Sequence, residues 1–345
     1  MYKRKEKSNS IIARAIFVLI ITLAIVLSSA PLYSCYQIPA NEEGQNNKAQ
    51  SGKEAQGSQG SVQYHFTDDL GYEVNIKSAE CVVACMGSFA NIWELAGGSL
   101  VGVTDDAIEE YGLDPTDVQL VGSFTSPNLE LIIALEPDFV IMTGASTGKD
   151  GTASQVGLRE GLKASGIEVA YFNVTTFDDY LRMLEVCCEI TGQSGLYELN
   201  GSSVQKQIND IRAAVPRTGQ APTVLLMTTY SGGTRVQNSS TMTGAMLAEL
   251  GAINLADEYE SLLRDFSLES VIELNPDFIL VVPMGNDSEA AMKNLEAATA
   301  ANPAWAGLDA VKSGRYITLD IRLFFYKPNA DWGNSYQTLF DILYS

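Results

Sequence analysis

"LELIIALEPDFVI", residues 129–141, decides how this chain folds, because "LESVIELNPDFIL" stands at residues 268–280. The two segments agree at 7 of 13 positions with a constant offset of 139 residues. In each, apolar residues fall at i, i+3 and i+4 (Leu129, Ile132, Ile133; Leu268, Val271, Ile272), which is one face of a helix. Pro137 and Pro276 forbid its continuation. The residues after each Pro-Asp pair, "FVIM" and "FILVV", are apolar without alternation, as a short strand buried on both faces of a parallel sheet must be. The repeated unit is therefore predicted to be helix, Pro-Asp corner and buried strand.

The flanks correspond in kind. Before the first copy come strand "CVVACM", helix "FANIWELAGG" and strand "LVGV"; before the second come strand "TVLLM" and helix "MTGAMLAELGAINLA". Gly97 and Gly251 are placed to cap the two helices. A helix near residues 155–164 and strand "EVAYF" come after the first copy; "SEAAMKNLEAATA" and strand "RYITL" come after the second. The pattern predicts two doubly wound α/β lobes, residues 62–175 and 216–345. Residues 176–215 between them read as a connecting helix, interrupted around Gly192 and Gly195, which would join the lobes stiffly.

At 345 residues and 46% hydrophobic, the chain can bury a substantial core. A formal charge of -20 repels nucleic acid and anionic membrane faces and leaves no reason to expect either as a partner. The first 34 residues read as a secretory signal: Lys3, Arg4, Lys5, Lys7 and Arg14 precede an apolar run from Ala15 to Leu27. That run has 13 residues, short of the roughly 20 that span a bilayer. Residues 36–61 hold almost no apolar side chain and read as a flexible tether with an r.m.s. span of about 25 to 30 Å. Of the other cysteines, Cys81 and Cys85 lie four residues apart on a strand, about 13 Å, too far to bridge each other. Cys187 and Cys188 are adjacent on a helix and point apart. All four read as small buried hydrophobes, with a metal or redox site as the alternative.

Taken together, the two "LE..I.L.PDF" units, the intervening helix, "DDLGYEVNI" at Asp68 and the C-terminal "YKPNADWGNSYQTLFDIL" resemble the substrate-binding proteins of ABC importers for iron-siderophore complexes, haem and cobalamin. The likeness covers nearly the whole mature chain. "LYSC", residues 32–35, resembles the lipobox of bacterial lipoproteins, with Tyr33 where a small residue is usual. The resemblance implies an extracytoplasmic monomer held to the cell membrane by a lipidated Cys35, with a ligand cleft between the lobes. It implies no enzymatic activity and no cofactor, the partners being an ABC permease, its ATPase and a small metal chelate. It also implies that Glu130 and Glu269, one per lobe, dock on permease arginines. Without it, both glutamates are explained as first-turn residues after N-caps Asn128 and Ser267, where a carboxylate gains about 0.3 to 1 kcal/mol from the helix dipole.

Cleft residues are sought in loops after strand ends, where open parallel sheets place ligands. These are Met86, Ser88, Ser123, Phe124, Thr143 and Gly144 in the first lobe. In the second they are Tyr230, Arg235, Met284, Arg322, Tyr326 and Lys327. Only eight Lys or Arg residues come after Pro216, so Arg322 and Lys327, with Arg235, beside Phe325 and Tyr326 suggest a ligand with anionic oxygens and flat apolar faces. An iron-siderophore complex is expected first, with cobalamin and haem as alternatives; Tyr230 or Met284 would be the axial ligand for haem. His65 is the single histidine and decorates an exposed strand, which disfavours His-based metal sites. "GASTGKD" at residues 144–150 is one residue short of a P-loop and has Asp150 in place of the hydroxyl. An exported hydrolase is the rival class, but no histidine is placed as a base. A surface adhesin is a third reading and would lack a small-molecule cleft.

Overall fold

A computed structural model describes residues 64–145, 155–264, 267–285 and 288–345. The expected signal segment, Cys35 and the tether lie outside the described residues, as does all of "GASTGKD" beyond Ala145.

The first lobe opens with a hairpin of β1 (Tyr64–Thr67) and β2 (Glu73–Ile76). His65 is exposed there and pairs with Glu73 at 2.6 Å. Then come β3 (Val82–Ala84), α1 (Gly87–Leu95), β4 (Gly102–Val103), α2 (Asp105–Glu109) and β5 (Gln119–Leu120). A small hairpin of β6 (Gly122–Ser123) and β7 (Ser126–Pro127) leads to α3 (Leu129–Ala134), β8 (Phe139–Thr143), α4 (Arg159–Ala164) and β9 (Glu168–Phe172). The sheet is parallel throughout, in the order β5-β4-β3-β8-β9.

The connecting stretch is helical and doubles back. α5 (Phe177–Thr191) ends where Gly192 turns left-handed at φ 70°, and after a short helical run and a π-helical turn the chain enters α6 (Ser203–Ala214). The Tyr180 hydroxyl donates to the Asn200 carbonyl at 2.8 Å; an unbroken helix would hold those residues about 30 Å apart. The link is thus a helical hairpin, with its break at Gly192.

The second lobe contains β10 (Thr223–Tyr230), β11 (Gly233–Gln237), α7 (Met242–Glu249), β12 (Ile253–Asn254), α8 (Leu268–Leu274), β13 (Phe278–Pro283), α9 (Ser288–Ala300), β14 (Tyr316–Thr318), α10 (Ile321–Phe324) and α11 (Trp332–Tyr344). Its strands run β11-β10-β13-β14 with β12 beside β10, and β11 alone is antiparallel.

The two copies of the repeat therefore sit in separate sheets, each as helix, corner and central strand. The corner has one physical job in both. The residue before proline leaves the α region, here with φ 48° at Glu136 and φ 40° at Asn275. This turns the next aspartate toward the start of the neighbouring strand. Asp138 accepts from the backbone N–H groups of Glu80 and Cys81, both at 3.2 Å, at the entry to β3. Asp277 accepts from the Thr223 N–H at 2.8 Å and its hydroxyl at 2.7 Å, at the entry to β10. Asn128 caps α3 and Ser267 caps α8, as expected.

Side chains alternate across each sheet. Val83, Cys85, Val140 and Met142 face a cluster belonging to the first lobe, and Leu225, Met227, Ile279 and Val281 face one belonging to the second. The opposite faces, Val82, Ala84, Phe139 and Ile141 in one lobe and Val224, Leu226, Leu280 and Val282 in the other, enter a single cluster that also takes in α5, α6 and α11. Cys85, Cys187 and Cys188 are buried free thiols, as expected, whereas Cys81 is only half-buried and does not belong with them.

Candidate functional site

Segments just beyond strand ends in one lobe touch their counterparts in the other. Residues after β3 and β4 meet those after β14. The Asn329 amide donates to the Ser88 carbonyl at 3.0 Å and to Asn91 Oδ1 at 2.8 Å. The Tyr111 hydroxyl donates to the Lys327 carbonyl at 3.2 Å and accepts from its N–H at 3.1 Å. The carboxyl edges of both sheets therefore border one shared region, where open α/β sheets bind ligands.

In the first lobe that edge is tied shut by a residue the sequence reading did not single out. Gln155, fully buried, donates to the carbonyls of Cys85 at 2.6 Å and Phe124 at 2.7 Å and accepts from the Thr143 N–H at 2.9 Å. It gathers the ends of β3 and β8 and the β6–β7 turn, and with them Met86, Phe124 and Thr143. No local pattern marks such a residue, because its three partners lie 12, 31 and 70 positions away. Thr143 itself is 2% exposed and spends its hydroxyl on the Ala145 N–H. Ser88 is buried in α1. Met86 is the N-cap of α1 but gives no side-chain cap; Asp106 supplies one instead, accepting from the Gly87 N–H at 2.7 Å. A Cβ on Gly87 would stand 2.7 Å from the backbone of Asp106 and Ala107, so this close approach needs glycine.

The second lobe keeps an open cavity of about 400 Å³ at the ends of β10 and β13. Tyr230, Arg235 and Met284 line it together with Thr228, Phe324 and Phe325. The β10–β11 register sets Arg235 opposite Thr228, and its guanidinium lies 5.4 Å from the centre of the Tyr230 ring. Among the described residues Arg235 forms no ion pair. The Thr243 hydroxyl donates to the Phe324 carbonyl at 2.7 Å and pins the aromatic wall.

The three cations expected together are divided. Arg322, Tyr326 and Lys327 line a second cavity of about 340 Å³ at the lobe junction, with Asn91, Glu110 and Tyr111. Arg322 is exposed. Lys327 is half-buried at the junction, where desolvation lowers its pKa, opposed by the charges of Asp106 and Glu110 from the first lobe. Its backbone is claimed by Tyr111, which turns the side chain into the junction. Glu130 and Glu269 are both exposed in the first turns of their helices, one per lobe.

Residues 82–323 match the family described as periplasmic binding protein. The chain is 24% identical over 301 residues to the Fe(3+)-citrate-binding protein YfmC of Bacillus subtilis, covering 86% of this chain and 89% of that relative. In structure it is similar to Staphylococcus aureus SirA complexed with staphyloferrin B (TM-score 0.60, 20% identity, 81% of this chain and 97% of that one). It is also similar to S. aureus IsdE complexed with heme (TM-score 0.62, 17% identity, 78% and 100%). Two α/β lobes with facing carboxyl edges thus define a solute-binding protein of the ABC-importer type. The chain belongs to the periplasmic binding protein family, whose members are extracytoplasmic and not enzymes. Among the described residues no helix is long and apolar enough to cross a membrane.

Proposed function

We propose that this protein captures an iron-siderophore-type ferric chelate and delivers it to an ABC permease, its body held to the cell membrane as a monomer through a lipidated Cys35. The observation that carries the ligand class is the second-lobe cavity. An arginine without an ion-pair partner among the described residues stands in a wall of Tyr230, Met284, Phe324 and Phe325. A guanidinium forks onto carboxylate or hydroxamate oxygens, and the aromatic wall accepts flat apolar faces. The ligand-binding set is Met86, Ser88, Phe124, Thr143, Tyr230, Arg235, Met284, Arg322, Tyr326 and Lys327. Within it Arg235 carries charge recognition, and Lys327 acts through the junction. Glu130 and Glu269 present one carboxylate per lobe to a permease of two like halves.

Titration calorimetry of the purified protein with ferric citrate, ferric hydroxamate and catecholate chelates, haemin and cobalamin tests the class. Micromolar or tighter binding of a ferric chelate is expected; binding of haemin or cobalamin alone would overturn the ferric-chelate reading. Calorimetry suits this protein better than tryptophan fluorescence, because Trp93, Trp305 and Trp332 are all buried and none lines the second-lobe cavity.

A further inference from the structure

The α7 helix stands between two cavities. On one side is the second-lobe cavity of about 400 Å³; on the other is a third cavity, of about 210 Å³, where the start of α5 and the helices α6 and α11 meet α7. Met242, the first residue of α7, is the one residue that lines both. The floor of the third cavity is apolar and buried, made by Ile208, Met246, Trp332 and Tyr336. Charges stay at its rim, where Asp178 is exposed and Arg212 pairs with Glu249 at 3.4 Å.

The helix itself is held at its start. The Thr241 hydroxyl accepts from the Gly244 N–H at 3.3 Å, the Thr243 hydroxyl donates to the Phe324 carbonyl at 2.7 Å, and a Cβ on Gly244 would stand 2.1 Å from the Asn238 carbonyl oxygen. What can move is the Met242 side chain, which is half-buried, unbranched and turns about three bonds. Ligand pockets run from about 300 to 1,000 Å³. The second-lobe cavity alone is near the small end of that range, and the 210 Å³ behind Met242 would extend its 400 Å³ by about half.

We propose that Met242 is a specificity-determining partition. With its thioether between the two cavities the site takes compact chelates; with the side chain turned aside, the third cavity receives an uncharged, apolar arm of a larger one. The metal-binding oxygens stay with Arg235, because the cation that lines the third cavity, Arg212, is already held by Glu249. That the ligand is a chelate rests on the function proposed above; the partition does not.

Methionine methyl NMR of the full chain tests the partition. Met284 lines the second-lobe cavity but not the third, and Met246 the third but not the second-lobe cavity, so carbon-13 methyls at the two report on each separately. The probes are acetohydroxamate and octanohydroxamate, metal-free, which share a head group and differ in apolar length. Both are expected to shift the Met284 methyl, and octanohydroxamate alone to shift Met246. Met242→Ala should tighten octanohydroxamate roughly fivefold, as more of its chain is buried, and leave acetohydroxamate within about twofold. Met242→Leu, which conserves volume, should fold normally and give no such gain. In Arg235→Ala the Met284 and Met246 shifts should weaken together. A silent Met246, equal Met246 shifts with both probes, or a gain in Met242→Ala shared by both probes overturns the proposal. So does a Met246 shift that outlives the Met284 shift in Arg235→Ala, which would mean entry from the link side. Failure of every ferric chelate in calorimetry would overturn the ligand class and leave the methyl result standing.

Discussion

The two lobes share a frame and differ at its edge. Both set a helix, a left-handed residue, Pro-Asp and a buried strand against a neighbouring strand whose entry the aspartate holds. Yet the first lobe closes its carboxyl edge around Gln155, whereas the second leaves an arginine and an aromatic wall standing in about 400 Å³. On the proposed reading, repetition sets where a ligand goes, and the residues that vary between the lobes set what it is. Glu130 and Glu269 belong to the repeated part, Arg235 to the divergent part.

The largest test addresses what is shared. Glu130→Ala with Glu269→Ala is expected to abolish uptake of radiolabelled ferric chelate in cells while leaving calorimetric affinity within about twofold; a weakened affinity would move those residues into the cleft. Next comes what differs. Arg235→Ala should weaken chelate binding by roughly ten- to a hundredfold, since a hydrogen bond to a charged group contributes about 1.5 to 3 kcal/mol. Equal binding by the variant would shift recognition to the first lobe and dissolve the contrast.

The corners then permit a finer comparison. Asp277→Ala and Asp138→Ala each strand donors at a strand entry, at a cost of about 1 to 3 kcal/mol. Asp277 is expected to cost more, because its two bonds are shorter and Thr223 returns one by accepting from the Asp277 N–H at 2.9 Å. Chemical denaturation of the two variants side by side measures the order.

The smallest effect concerns the link. Burial would raise Asp179, but hydrogen bonds from Thr175 and Thr176 outweigh it and bring the carboxyl to about 2. A depressed carboxyl contributes stability above its unfolded value of 3.8 that is lost as pH falls toward about 2. The first turn of α5, closed by a Thr176–Asp179 capping box, should therefore lose amide protection over that range.

Much of this frame was legible because it is written locally. A 3.6-residue period, a proline, a run of apolar residues and a capping Asn128 or Ser267 act over a few positions, and the offset of 139 residues made each copy a check on the other. The candidate site was legible in outline only. Strand ends pointed to Tyr230, Arg235 and Met284, which the fold brings together. Lys327 looked like their companion because sequence shows charge without depth; Tyr111, 216 positions away, is what draws it into the junction. Gln155 gave no signal for the same reason. The helical hairpin escaped because Gly192 marks a break without giving the angle at which the chain resumes.

The cluster fed by one face of each sheet has a further meaning. A half-molecule cut at the link would keep its own helices but lose the other half's share of a core that runs on through α5, α6 and α11. Neither half is then a free-standing module. Heating should melt the described body in one cooperative step, and a single ancestral unit would have needed a second copy of itself for company before the two were ever joined in one gene.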